Sequence, residues 1–508
     1  MHTARILHVM SQVSLGGGAR AAITLAKYSV RQGPFDHSLL SLRPATQTGM
    51  AWARQSGVTV RDAPKTADAM AAVAEADLVH LHFWNTPELY AFMRADWPPA
   101  RLVIWLHVAG DTPPQVVTPQ VAALGDCLVP VSDHTAALPV VRGPNAARGE
   151  MIPAAPDLER LAGLEPRPHA GFNIGYIGTV DFEKMHPDFV GLHADLAIPQ
   201  ARIVVCGSGG AYPRLRQQIA DRGLADQFDL RGYQDDVRPV LASLDVFGYP
   251  LRADNYSGSE QALREAMAAG LPPVIFPYGG AGRMVRHNAT GLVVEDAQAY
   301  RAALEWLYRH PDERARLGQN ARAEAWEKFG PQRMAGQFNA AYAALLLTPK
   351  RPRAWTGRAH TGAECFIESL GDFGADFSAS LFAADLPARL AAEARIGAAS
   401  SLLASAGAGG ILSYRNSDVT DAYLRLWAGL VLHGQGRPAL AVAEFKAAAD
   451  LGLRHWRLAW YQARSAEACG AWALAAGLAQ AVLAESPDFA PGRALARRLA
   501  ARAPWPTV

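Results

Sequence analysis

The chain has 508 residues, enough for about three domains with sizeable cores. Half of the residues are hydrophobic, 19% are charged and the formal net charge is +2. Such a balance excludes a disordered chain and argues against a protein that holds nucleic acid by bulk electrostatics. Cys127, Cys206, Cys365 and Cys469 form no CxxC pair. Neither a zinc knuckle nor a disulfide framework is expected, and each reads as a reduced, buried small residue.

The opening MHTARILHVMSQ carries an apolar run broken by His8, too short for a secretory signal. No run of about 18 apolar residues occurs, so no transmembrane segment is expected and a cytoplasmic protein is the default. ARILHVM (4–10) reads as a buried strand. A turn through Gly16, Gly17 and Gly18 follows, then a helix over about 19–32. HSLLSLR, ADLVHLHF, RLVIWLH and DCLVPVS are further strands, separated by Ala-rich stretches of helical spacing. Alternating strands and helices predict a parallel sheet covered on both faces. His80 and His82 alternate with Val79 and Leu81 and so share one face. No third metal ligand is evident, and a structural role is expected for both.

EPRPHAG (165–171) is a break, after which the pattern restarts. FNIGYIG, ARIVVCG, QFDLRGY, LDVFGYP and LPPVIFP are strands alternating with helices. The fold class is α/β: two doubly wound, Rossmann-like domains over 1–160 and 166–348. Their ligand is expected in the cleft outside the carboxyl ends of the strands. Residues 349–365 (PKRPRAWTGRAHTGAEC) read as a linker with a solvated KRPR run, and 366–508 as an all-helical domain. There, GRPALAVAEFKAAADLG from Gly436 and GAWALAAGLAQAVLAES from Gly470 are offset by 34, the tetratricopeptide period. Ala441 matches Ala475 and Ala448 matches Val482 at the small positions, and a closing helix spans 489–502. Trp427, Trp456, Trp460 and Tyr461 are expected to pack the repeats. Such arrays bind peptides or proteins on a concave face, so a protein partner is possible through the tail. Packing on the catalytic part or dimerisation is the other use.

The strongest chemical signal is SGSEQALREAMAAGLPPVIFPYGG (257–280). Ser257 and Glu260 have capping-box spacing, which predicts a helix from near Gly258 with Glu260 as a structural cap. Backbone N–H groups at such a start cradle a diphosphate, and Glu265 can accept from two vicinal hydroxyls. The segment resembles the EAMAxGxP stretch of the retaining GT-B-fold glycosyltransferases of family four (group 1). The resemblance runs over about 5–345. Other pieces stand in family order: SLGGGAR, His107 closing RLVIWLHVAG, VPVSDHT, GYIGTVDFEKMHP with Lys184, and FDLRGYQDDVRPVLASLDVF.

The resemblance implies transfer of a sugar from a nucleoside-diphosphate sugar, with retention, to a glycan, lipid-linked or protein acceptor. It places His107, Lys184 and Ser257 at catalytic positions, and Gly17, Gly18, Lys184, Gly258 and Glu265 at the donor. It also implies a last helix, at about 331–346, packed back on the first domain. Departures are present. Ser257 stands where the family has the first of two glutamates, and Ser257 or Asp254 is the candidate substitute. Thr179 stands at the family's phosphate-binding Arg, and Arg20 or Arg283 could supply that charge. Asp235-Asp236 reads as a helix-start pair, so no metal and no cofactor beyond the sugar nucleotide are expected. The alternative is a catalytically silent GT-B scaffold acting through its helical repeats. A third reading is a nucleotide-sugar epimerase.

Overall fold

The computed structural model describes residues 3–144 and 149–501. Residues 1–2 and 502–508, the outermost ends of the first and last predicted segments, lie outside that set. The chain forms two units, one of residues 1–84 and 94–355, the other of 85–93 and 356–508.

In the first unit the strands run β1 (Ala4–Met10), β2 (Phe35–Ser41), β3 (Thr59–Asp62), β4 (Leu78–Phe83), β5 (Trp97–Ala100), β6 (Leu102–Leu106), β7 (Asp111–Thr112), β8 (Gln115–Val116) and β9 (Cys127–Pro130). A second series follows: β10 (Phe172–Ile177), β11 (Ala201–Cys206), β12 (Phe228–Gly232), β13 (Val246–Tyr249), β14 (Pro273–Ile275), β15 (Leu292–Val293) and β16 (Arg351–Arg353). Two six-stranded sheets result, in the orders β3-β2-β1-β4-β6-β9 and β12-β11-β10-β13-β14-β15. All their pairings are parallel. Both orders are those of the doubly wound nucleotide-binding fold. Both faces of the sheets are covered, so every residue of β4, β6 and β10 is buried, the polar His80, His82 and Asn173 included. In each sheet the order reverses beside the first strand, which opens a crevice at the carboxyl edge.

The helix after β1 spans Gly17–Ser29, two residues earlier than expected. Helix Pro331–Leu346 returns to the first domain and buries Met334, Phe338 and Tyr342 against Ile6, Leu25 and Trp105. The KRPR run is not a free linker, although Arg351 and Pro352 in it are exposed. It forms β16, which pairs antiparallel with β5. Arg351 and Arg353 both bind Asp126, and Arg353 also donates to the Leu124 carbonyl at 2.9 Å. With the Ala100 carbonyl, which accepts from Arg353 Nη2 at 2.7 Å, the buried guanidinium has three acceptors, and these fix the stretch in place.

The second unit is helical. Helices Ala422–Gly434 and Pro438–Asp450 pair, as do Trp456–Ala468 and Trp472–Glu485; the starts at 422 and 438 recur at 456 and 472, an offset of 34. Gly436 and Gly470 make the turns with φ of +71° and +79°, a conformation that suits Gly at both copies. Ala441, Ala448, Ala475 and Val482 are all fully buried where the helices meet. Trp427 is buried in the core, Trp456 and Trp460 pack on Phe489, and Tyr461 donates to buried Glu393 at 2.7 Å. Residues 85–93, counted with the first domain from sequence, belong to this unit: Asn85 donates to the Ser369 carbonyl at 3.0 Å and Tyr90 to Glu368. Of the cysteines, Cys206 is buried but Cys469 is exposed, so the expectation of four buried thiols does not hold.

Candidate active site

A cavity of about 370 Å³ opens at the carboxyl edges of the two sheets. Its first wall is the loop after β1, with Gly16, Gly17 and Arg20. Its second wall comes from the other domain: Thr179, Lys184, Tyr249, Ser259, Gln261 and Glu265 among others. Gly16 is the N-cap of the helix Gly17–Ser29 and has no side chain to cap it, so the helix start faces the cavity with free N–H capacity. A Cβ at Gly17 would meet nothing within 4 Å, so the backbone there is open to a ligand. A Cβ at Gly18 would lie 3.9 Å from the His107 ring; Gly18 packs behind the wall rather than in it.

Lys184 sits in the loop after β10, and its Nζ lies 2.9 Å from Glu260 Oε2. Tyr249, at the end of β13, donates to the same oxygen at 2.7 Å. Burial pushes the Glu260 carboxyl up, but Lys184 and the Tyr249 hydroxyl outweigh it and hold the group below its ordinary range. Glu260 is therefore an ionised partner of the lysine and not a side-chain cap. This pairing also moves the helix. The helix starts at Gln261 with Glu260 as N-cap residue, and no side chain caps it. The predicted start near Gly258 and the Ser257–Glu260 capping box are thus corrected. The Glu260 carboxylate is turned to Lys184, so 257–260 form an irregular approach instead of a first turn.

Ser257 and Gly258 do not line the cavity. Ser257 bridges to Val108, and its N–H donates to Asn255 Oδ1 at 3.1 Å. A Cβ on Gly258 would stand 2.7 Å from the Val108 carbonyl oxygen, so Gly258 serves the close approach of the two domains. Asp254 is gripped by Arg252, whose Nη2 donates to it at 2.7 Å, and it too lies outside the wall. Glu265 is in the wall and 2% exposed; its Oε1 accepts from Arg20 Nη2 at 2.8 Å and from Arg160. Of the two candidate arginines, Arg20 is at the cavity and Arg283 is not.

Sequence reasoning missed Arg160 and Arg264. Arg160 comes from the segment linking the two domains, whose irregular sequence carries no periodic signal. Arg264 is 1% exposed; it joins the domains through the Ala154 carbonyl and also donates to Ser259 Oγ of its own domain at 2.7 Å. Burial lowers its guanidinium to about 10. A carboxylate anchored by two arginines beside a lysine paired with a second carboxylate gives a cleft rich in fixed cations, suited to an anion.

His107 closes β6 and is 5% exposed beside Gly18. The next residues, Val108 and Ala109, reach the other domain at Ser257 and Tyr256, with the Ala109 N–H donating to the Tyr256 carbonyl at 2.9 Å. His80 and His82 do share one face, their rings stacked at 4.5 Å. The third imidazole that the sequence does not reveal is His8, on the neighbouring strand; one ring nitrogen from each of the three lies within 4.8 Å of the others. Asp236 of the acidic pair is engaged bidentately by Arg238, at 2.9 and 2.7 Å.

The family model for glycosyl transferases group 1 matches residues 165–324. A 2-deoxystreptamine N-acetyl-D-glucosaminyltransferase of Streptomyces fradiae is 28% identical over 177 residues, covering 31% of this chain and 41% of its own. A D-inositol 3-phosphate glycosyltransferase of Salinispora arenicola is 28% identical over 330 residues, covering 54% and 72%. HepE of Anabaena, solved with UDP and glucose, shares the fold with a TM-score of 0.56 at 18% identity, over 67% of this chain and 100% of its own. The chain spans about two fifths of the length of several curated relatives it matches. Residues 165–324 thus carry the match to the group 1 glycosyltransferase model, and the first unit has the two-domain GT-B fold.

Proposed function

We propose that this protein transfers a sugar from a nucleoside-diphosphate sugar to an acceptor hydroxyl, with retention at the anomeric carbon. The observation that carries the reading is the cleft itself. An uncapped helix start at Gly16–Gly17, Lys184 and the Arg20–Glu265 ion pair line about 370 Å³ at the carboxyl edges of both sheets. A diphosphate set against Gly17 would meet backbone N–H groups and Lys184, and Glu265 would accept from sugar hydroxyls of the nucleotide. Lys184, Arg20 and the helix start would stabilise the negative charge that develops on the leaving diphosphate. The acceptor oxygen forms its bond to the anomeric carbon on the face the diphosphate leaves, and a departing phosphate oxygen takes the acceptor's proton. His107, against Gly18 just behind the cavity loop, would serve as a hydrogen-bonding group to the sugar.

These fixed cations do the work that a divalent ion does elsewhere, and Asp236 is already engaged by Arg238. We therefore propose turnover without metal or other cofactor. No helix among the described residues is long and apolar enough to cross a membrane, and action in the cytoplasm is part of the same reading. The helical unit is read as the partner-binding part; it carries a groove of about 530 Å³ that Trp460, Tyr461 and Arg464 help to line.

The test is a thermal-shift panel of UDP, GDP, ADP and CMP and their common sugar conjugates, in chelator. A ligand at about 100 times its Kd stabilises by roughly 2.7 kcal/mol, a readable shift. One nucleotide should shift wild type and shift Glu265→Ala much less. No shift from any of them, with folded protein, would refute the donor site and favour a silent scaffold.

A further inference from the structure

A file of four hydrogen-bonded imidazoles crosses the first sheet. His37 Nε2 faces Ser29 Oγ at 2.8 Å, and His37 Nδ1 faces His8 Nε2 at 2.7 Å. His8 Nδ1 faces His82 Nε2 at 2.9 Å, and His82 Nδ1 faces His107 Nε2 at 2.9 Å. The file exists because β2, β1, β4 and β6 are successive neighbours, with His8 level with His80 and His82 two residues beyond on the same face. Each link joins one ring's Nδ1 to the next ring's Nε2. A neutral imidazole has one N–H and one lone pair, so all four rings must share one tautomer. Burial keeps them neutral: it holds His8 and His82 far below the ordinary range and brings His37 and His107 to about 3.

The far end decides the direction. Asn339, on the helix Pro331–Leu346, donates through Nδ2 to the Ser29 carbonyl at 3.3 Å, a group that can only accept. Its Oδ1 therefore faces the Ser29 hydroxyl, which donates to it at 2.5 Å. With that hydrogen engaged, Ser29 Oγ can only accept from His37 Nε2. Passed along the file, the choice places the hydrogen on Nε2 of every ring and leaves a lone pair on His107 Nδ1. Among the described residues nothing pairs with that Nδ1, and the ring lies against Gly18, next to the cavity loop.

We propose that Asn339, Ser29, His37, His8 and His82 are positioning residues that lock His107 as the Nε2–H tautomer, so that Nδ1 accepts a hydrogen bond from a hydroxyl of the bound sugar. The ligand in this statement rests on the glycosyltransferase reading; the tautomer does not. His80 stands beside the file, bound through Nδ1 to the Tyr342 hydroxyl at 2.6 Å.

The experiment is ¹⁵N-histidine spectroscopy of the full chain, with His107 assigned by the signals lost in His107→Gln. Wild type should show a protonated Nε2 and a bare Nδ1 at His107. Asn339→Leu removes the acceptor and lets the Ser29 hydroxyl donate to His37, so His107 should move toward the Nδ1–H form. In turnover, kcat should fall about tenfold, the size of one hydrogen bond, with donor KM within about twofold. Asn339→Asp keeps an acceptor toward Ser29 and should keep the wild-type signals, and Ser29→Ala should repeat the effect of Asn339→Leu. Nδ1–H in wild type, or unchanged signals in both Asn339→Leu and Ser29→Ala, would overturn the proposal. So would stoichiometric zinc in the purified chain, lost on His80→Leu, because a metal among His8, His80 and His82 breaks the file. Absence of turnover in wild type with the expected tautomer intact would refute the glycosyl transfer reading and leave the file standing.

Discussion

Lys184→Met isolates a charge that the fold cannot solvate. Glu260 is 1% exposed, and its carboxylate is held by the lysine at 2.9 Å, the Tyr249 hydroxyl at 2.7 Å and the Ser257 side chain. Removing one partner of a buried pair costs about 3–5 kcal/mol when the other must stay charged. Glu260 has an escape, which is to bind a proton. From its ordinary value of 4.5, protonation at pH 7 costs roughly 3 kcal/mol, at about 1.4 kcal/mol for each pH unit. The destabilisation should therefore be capped near 3 kcal/mol at pH 7 and shrink by about 1.4 kcal/mol at pH 6. The wild-type sign is opposite. There the folded carboxyl lies below 4.5, so its contribution is present above that value and is lost as pH falls through the folded one. Urea unfolding of the wild type, Lys184→Met and Lys184→Met/Glu260→Gln at pH 5 to 8 measures this. The double variant should recover most of the loss because no ion remains. A Lys184→Met deficit independent of pH, or a double variant as unstable as the single, would refute the reasoning.

Glu265→Ala leaves Arg20 and Arg160 without their shared carboxylate and should weaken nucleotide binding by roughly 1.5–3 kcal/mol, read by calorimetry. Gly258→Ala pushes a methyl to 2.7 Å from the Val108 carbonyl and should cost about 1–3 kcal/mol, read by thermal unfolding, with Gly17→Ala unaffected in stability. Burial and the nearby Asp181 raise the Glu183 carboxyl to about 8, so the folded state holds a proton that the unfolded state releases above about 4.5. Stability should fall across that window as pH rises, and Glu183→Gln should be more stable than wild type at pH 8 but not at pH 4. Arg353→Ala leaves buried Asp126 short of a donor and should expose the 350–353 run to protease.

The fold was legible because two kinds of signal agreed. Runs such as LVIWL are apolar along a strand covered on both faces, and the spacing between such runs leaves room for one crossover helix each. The 34-residue offset was legible because small residues and turn glycines recur where paired helices meet. Gly17, Lys184 and Glu265 all line the cavity because each follows the carboxyl end of a strand, in the loop or helix after it. The rest depended on contacts between distant residues. Glu260 has capping-box spacing from Ser257, and only the tertiary pairing with Lys184, across 76 positions, reverses that local preference. Arg160 and the KRPR run sit in aperiodic sequence, where nothing local states which carboxylate they will meet. His8 lies 72 residues from His80, and parallel pairing of β1 with β4 is what makes them neighbours.

The same features explain how the cleft holds cations ready without a ligand. Lys184 is only 13% exposed on its side chain and Arg20 22%, so leaving either unpaired would be costly. Glu260 and Glu265 on and beside one helix answer both, and each carboxylate is held by a second donor, Tyr249 for one and Arg160 for the other. On the proposed reading, an arriving diphosphate need not create charged groups or reorient them. It adds acceptors to cations already aimed by their carboxylates, with Arg264 pinning the same helix to the interdomain segment through Ala154. Preorganisation of that kind stabilises a leaving group most when little must move during the reaction. It also makes the carboxylates as consequential as the cations: replacing Glu260 should misplace Lys184 and lower kcat, even though the cleft gains net positive charge.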